Sequence, residues 1–165
     1  MPEKQTVERA KKAKHKGKAA ATQAGEFVRE EMHHVREGKH GARSTKQAIA
    51  IGLSKARRAG VALRPPKGGQ VSEKTRRSAE RAYESGQRGK SRVSRRRARA
   101  TGRALKREGR TAASRQALSR QARSAAGRRT RGERSASARQ AARTKGRAGR
   151  SAAARKAARN RARRA

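Results

Sequence analysis

Residues 22–63, TQAGEFVREEMHHVREGKHGARSTKQAIAIGLSKARRAGVAL, hold most of the large apolar side chains of the chain and decide its fold. One apolar stripe with the i, i+4, i+7 spacing of a helix runs along the first half: Val28, Met32 and Val35, with Phe27 beside them. Thr22 is a suitable N-cap and Gly38 a suitable stop, so the pattern predicts a helix that runs to Glu37.

The second half of this stretch predicts a second helix. Ser44 and Gln47 have the spacing of a capping box, which predicts a helix from about Thr45 to Ala59. Gly60 then stands where a Schellman motif needs a glycine. Small and aliphatic residues give this helix a narrow face for close packing: Ala48, Ile49, Gly52, Leu53 and Ala56.

We therefore expect a helical hairpin whose two apolar faces pack together. Its apolar set is Phe27, Val28, Met32, Val35, Ile49, Ile51, Leu53, Val61 and Leu63. Each fully buried side chain contributes only about 1.5–3 kcal/mol, so this core is marginal. A segment of about 40 residues rarely folds alone, and homodimerisation or nucleic-acid binding would add the missing stability.

The rest of the chain is poor in large apolar residues and rich in charge. Only 31% of its 165 residues are hydrophobic, and the formal net charge is +39. This combination is typical of disorder. The predicted fold class is mostly α with extensive disorder, in four segments: a basic N-terminal arm (1–21), the hairpin (22–63), a linker with a solvated helix at about 73–85 (64–86), and a disordered Arg/Ala/Ser-rich basic tail (87–165).

The charge concentrates in the C-terminal half. Residues 85–165 contain 29 Lys or Arg and only two acids, Glu108 and Glu133. An uncompensated charge of this size indicates a polyanion partner, and arginine meets phosphate oxygens in a bidentate manner. The candidate nucleic-acid-binding residues are Arg95, Arg96, Arg97, Arg99, Arg128, Arg129, Arg131, Arg159, Arg161, Arg163 and Arg164 in the tail, with Lys46, Lys55, Arg57 and Arg58 in the hairpin.

The predicted function is non-sequence-specific binding to the phosphate backbone of nucleic acid. The tail has no aromatic residue on which single-stranded bases could stack, which favours duplex DNA while leaving structured or ribosomal RNA open. A helix-turn-helix that reads bases is a weaker alternative, because the predicted loop is longer than usual. A protein-interaction module with a DNA-anchoring tail is a third.

Several other classes are not expected. The chain has no cysteine, no catalytic sequence motif and no long apolar segment, so we expect a cytoplasmic, nucleoid-associated protein that is not an enzyme, has no cofactor and has no membrane partner. His33 and His34 lie on one predicted helix with Glu30, Glu37 and His40 nearby, and Glu30-x-x-His33 has the i, i+3 spacing of a di-iron ligand set. Only one copy is present, so the sequence predicts no metal site.

The segment from Gly25 to Gly60, above all KQAIAIGLSKARRAG at residues 46–60, resembles a family of small basic bacterial proteins. Members of that family carry labels such as DNA-binding or plasmid stabilisation protein. The resemblance covers about residues 1–87, and the tail is similar to those of bacterial histone H1-like proteins. It implies a role on DNA and transfers no individual binding residue.

Overall fold

A computed structural model describes residues 2–89 and 94–163, and all regular structure within these ranges is helical. The helices are α1 (Lys4–His15), α2 (Ala20–Arg36), α3 (Thr45–Arg58), α4 (Glu73–Gln87), α5 (Arg95–Lys106), a 3-10 turn (Thr111–Ala113), α6 (Arg115–Gly127) and α7 (Arg131–Ala162). The chain forms two compact units, residues 1–121 and 122–165. None of the helices in the described ranges is both long and apolar enough to cross a membrane.

The predicted hairpin is confirmed, and helices α2 and α3 pack against each other as its two arms. They meet at Gly52, where an added Cβ would lie only 2.7 Å from Cα of Val28. Eight of the nine predicted core residues take part in two apolar clusters, and only Ile51 is in neither. Phe27 and Val35 are fully buried. The close approach at Gly52 is thus what lets these side chains fill the interface.

The ends of α3 follow the sequence signals closely. The Ser44 hydroxyl accepts a hydrogen bond from the amide of Gln47, as expected of an N-cap. The Gln47 side chain accepts from the amide of Arg43 instead of that of Ser44, so the capping box is only half formed. At the other end Gly60 has φ of +84°, and the amide of Val61 reaches the Ala56 carbonyl at 3.1 Å. This is the predicted Schellman motif.

Helix α2 begins earlier than the sequence suggested. Its first residue is Ala20 and its N-cap is Ala19, so the prediction of Thr22 as the cap is wrong. The physical reason is packing against α1, because Ala10 of α1 and Ala24 of α2 share a cluster with Phe27. Tertiary contact along this extra turn outweighs the local capping preference.

Helix α4 starts at the predicted cap but is not fully solvated. Ser72 accepts a hydrogen bond from the amide of Thr75, and the helix runs to Gln87. Ala79 and Ala82 are buried, with exposures of 8% and 2%. The prediction of a solvated helix is therefore wrong for this face, through which α4 packs against α3.

Part of the predicted tail belongs to the folded hairpin unit. Ala112 and Ala113 are buried in the same cluster as Met32, and Leu118 packs against that cluster. The Arg36 guanidinium donates to the carbonyl of Ala113 at 2.9 Å. The predicted segment boundary at residue 87 therefore does not mark the end of the first compact unit.

The extensive disorder predicted for residues 87–165 is not borne out. Helices α5, α6 and α7 occupy most of that range where the structure describes it. Alanine and arginine are strong helix formers, and this local preference outweighs the low apolar content. Helices α5 and α7 bury none of their residues, and α7 bends at Gly146.

Candidate functional site

The tail arginines predicted to bind nucleic acid lie at the surface. Ten of the eleven are exposed: Arg95, Arg96, Arg97, Arg99, Arg128, Arg129, Arg131, Arg159, Arg161 and Arg163. The eleventh, Arg164, lies outside the described residues. The first four lie in the first five residues of α5, the next three flank the start of α7, and the last three lie at its end. They therefore form three separate clusters along the chain.

Within the described part of the chain, the ten exposed guanidinium groups have no acidic partner. The ion pairs found in residues 2–89 and 94–163 all involve residues between Glu3 and Glu80. The only acid in α7 is Glu133, and it is engaged in a capping box with Thr130. The hydrogen bond from the Thr130 amide is the main reason why the pKa of Glu133 is lowered from its ordinary value. The positive charge of α7 is thus almost uncompensated.

The four predicted cations of α3 divide into two pairs. Lys46 and Arg58 are exposed. Arg57 is buried and donates to the carbonyls of Leu63 at 3.1 Å and Arg64 at 3.3 Å, and this burial lowers the pKa of its guanidinium. Lys55 also points inward. Only Lys46 and Arg58 are therefore placed to contact a phosphate from this helix.

Lys55 contacts a pair of buried carboxylates on α2. Its Nζ lies 2.6 Å from Oε2 of Glu31 and 3.5 Å from Oε1 of Glu30. The exposed fractions of the Glu30 and Glu31 side chains are 2% and 0%. Neither Glu31 oxygen has an aligned hydrogen-bond donor in the described part of the chain. One partly buried ammonium therefore faces two buried carboxylates, which leaves a local excess of negative charge.

Two histidines line the other side of Glu31. Nε2 of His40 lies 3.3 Å from Oε1 of Glu31, while Nδ1 of the same ring lies 3.1 Å from the carbonyl oxygen of Gly41. His34 packs edge-on against His40, with ring centroids 5.9 Å apart. One ring nitrogen of each histidine and a carboxylate oxygen of Glu31 all lie within 4.8 Å of one another.

The N-terminal arm contributes a further carboxylate to this cluster. Oε1 of Glu3 lies 2.9 Å from Nε2 of His34 and 3.3 Å from Nζ of Lys39. The hydrogen bond to His34, followed by that to Lys39, lowers the pKa of Glu3 below its usual value. The backbone amide of Glu3 also donates to Oε2 of Glu30 at 3.2 Å. Glu3 thus connects the N-terminal arm to α2 through His34 and Glu30.

The sequence singled out this group of residues but not the side chains that converge. Glu30-x-x-His33 was the pair that resembled a ligand set, but His33 is exposed on the structure. The side chains that converge are Glu31 and His34, each one position further along α2, and His40 of the loop that follows it. A signal was present, because Glu31 lies three residues after Val28 and four before Val35 and so shares the buried stripe.

Comparison with protein-family models, with curated proteins and with solved structures finds no match for this chain. A function can therefore be argued only from the surface charge and from the buried polar cluster.

Proposed function

We propose that this protein binds the phosphate backbone of nucleic acid without reading its sequence, with duplex DNA as the favoured partner. The proposed role is that of a nucleoid-associated or plasmid-stabilisation protein. The observation that carries the proposal is the set of exposed arginines on α5 and α7, two helices that bury no residue, without an ion-pair partner in residues 2–89 and 94–163.

The form of α7 supports a backbone contact over a base contact. It has no apolar face, and its basic residues are spread along its whole length with one acid, Glu133, at the start. A helix that is polar all round gains little from packing within a protein. Arginines on every side can instead contact phosphates in many orientations, and contacts of that kind carry no sequence information.

The hairpin offers little to a base-reading mode. A recognition helix presents several side chains on one exposed face. In α3 two of the four cations, Lys55 and Arg57, are turned to the interior. The remaining exposed pair, Lys46 and Arg58, lies at opposite ends of the helix. This arrangement favours a supporting electrostatic contact over sequence recognition.

The experiment that tests the proposal is a salt titration of the affinity of the full chain for a short labelled duplex, followed by fluorescence anisotropy. With 6–10 phosphate contacts the affinity is expected to fall by about 10³–10⁵ between about 50 and 200 mM salt. An affinity that stays constant over this range would refute the proposal.

A charge-removing variant makes the test specific. Replacing Arg128, Arg129 and Arg131 by glutamine should reduce the steepness of the log–log salt plot by up to about 2.7, because each phosphate contact contributes about 0.9. Arg131 begins α7, where loss of positive charge does not weaken a helix, but Arg128 and Arg129 follow the C-terminus of α6, so the helix content of the variant is checked by circular dichroism. The matched control replaces the same three residues by lysine, and should leave the slope unchanged.

Competition with duplex RNA of the same sequence then distinguishes the two duplex partners. Contacts to the backbone alone predict that a single strand competes less well than either duplex, because the tail has no aromatic side chain for its bases. A single strand that competes best would contradict the proposed mode of binding.

A further inference from the structure

We propose that Glu31, His34 and His40 form a binding site for a divalent transition-metal ion of the zinc class. The three donor atoms lie within 4.8 Å of one another, and the three side chains are buried or nearly so. The proposal concerns the folded hairpin unit and is independent of nucleic-acid binding by the arginines.

The two contacts of His40 leave one acceptor without a donor when its imidazole is neutral. A neutral imidazole has one N–H group. At His40 the carbonyl of Gly41 lies 3.1 Å from Nδ1, and a proton there leaves only a lone pair on Nε2. That lone pair faces Oε1 of Glu31 at 3.3 Å, so two acceptors meet with no donor between them. A positive charge between the two atoms would turn this repulsion into attraction.

The charge balance of the pocket points the same way. Glu31 is fully buried, and neither of its oxygens has an aligned hydrogen-bond donor among the described residues. Lys55 approaches Oε2 of Glu31 and is shared with Glu30, so Oε1 is left for another cation. Buried charges are stable only when paired or bound to a metal.

Convergence of a third donor favours a metal ion over a proton. A proton would need only His40 and Glu31, but a ring nitrogen of His34 lies within the same 4.8 Å. Zinc bonds of about 2.0–2.2 Å require only a modest closure of these three atoms. Two imidazoles and one carboxylate are a donor set that suits zinc and its neighbours, with a fourth position left for water.

The surroundings have the usual features of a metal site. His40 has the Gly41 carbonyl at its second ring nitrogen, and His34 has the Glu3 carboxylate at one of its own. Partners of this type fix the orientation of metal-bound histidines. Local structure also positions the ligands: Glu31 and His34 are one helical turn apart on α2, and the turn at Gly38, with φ of +76°, brings His40 back over them.

The test uses the full chain, freed of nucleic acid by nuclease and high salt and then freed of metal by chelation. Co²⁺ is titrated as the probe, and its visible absorption reports inner-sphere nitrogen and oxygen ligands. We expect saturable binding of one ion, displacement by Zn²⁺, and a rise in the melting temperature with either metal.

Variants locate the site. His40→Ala changes a loop residue and should abolish the Co²⁺ absorption while the metal-free melting temperature stays close to that of the parent. His33→Ala is the matched control, because His33 is an exposed histidine on the same helix as His34. It should bind Co²⁺ as the parent does. Glu3→Gln should weaken binding by about 10–100-fold, as loss of an outer partner does.

Three results would overturn the proposal. The first is a folded parent chain that gives no saturable Co²⁺ signal. The second is a signal that survives in His40→Ala, and the third is a signal lost equally in His33→Ala. If His40→Ala fails to fold, His40→Gln keeps a polar side chain in the loop and takes its place in the same comparison.

Discussion

Replacing Lys55 by methionine is expected to destabilise the hairpin unit strongly, although lysine is usually a surface residue. The Lys55 side chain is 20% exposed and lies between the carboxylates of Glu30 and Glu31, which are 2% and 0% exposed. Methionine keeps the aliphatic volume and removes the charge. Breaking a buried ion pair in this way costs about 3–5 kcal/mol, because it leaves buried carboxylates without a counter-charge.

The assay is urea unfolding followed by the fluorescence of Tyr83, the only tyrosine, which lies on α4 in the first compact unit. With a denaturant dependence of about 1–3 kcal/mol per molar urea, a loss of 3 kcal/mol lowers the midpoint by about 1–3 M. A chelator is present throughout, so that metal binding does not contribute. Lys46→Met on the same helix is the matched control, and its effect should stay within about 0.5 kcal/mol.

A double variant tests the cause. Adding Glu31→Gln to Lys55→Met removes the fully buried carboxylate as well, and should recover part of the loss. Residues in such contact commonly show coupling energies of about 0.5–3 kcal/mol. The reasoning would be refuted if Lys55→Met were no more destabilising than Lys46→Met, or if the second substitution gave no recovery.

Two further predictions concern the backbone contact of the hairpin and the cap of α7. Gly52→Ala should destabilise the first unit by about 1–3 kcal/mol in urea unfolding, because its Cβ would lie 2.7 Å from Cα of Val28. Gly25→Ala on α2, where an added Cβ meets nothing within 4 Å, should be neutral or slightly stabilising; an equal loss in both would contradict the packing argument. Glu133 has a lowered pKa in the folded chain, so its capping contribution is complete at neutral pH and is lost as the pH falls through that pKa. Far-UV circular dichroism should therefore show an acid-induced loss of helix that is smaller in Glu133→Ala, and identical acid profiles would rule the cap out.

Local signals in the sequence predicted the hairpin well. The cap at Ser44 and the turn at Gly60 are set by interactions within a few residues, and the structure has both. The apolar stripes were equally informative, because each follows the period of a single helix. The cap at Thr22 failed where a distant contact with α1 extended α2 by a turn.

The features that the sequence did not predict depend on contacts between residues far apart in the chain. No sequence pattern marks the turn at Ala112 and Ala113 as buried. These two residues are buried only because the turn docks beside Met32. Likewise a lysine or arginine is normally taken as exposed, and nothing local to Lys55 identifies its buried partners on α2. The convergence of Glu31 with His40 also depends on the course of a loop. The surface clusters of arginine were predictable because they need no partner within the fold.

The docking of the segment from Ala112 to Leu118 on the hairpin sets an order for folding during synthesis. The hydrogen bond from Arg36 to Ala113 spans 77 positions of sequence, and the Thr45 hydroxyl donates to the Ala112 carbonyl over 67. Contacts of such separation form late. A nascent chain on the ribosome therefore exposes the apolar residues beside Met32 until this segment has left the exit tunnel. The strongly cationic helix α7 leaves the tunnel only after the segment that covers those residues.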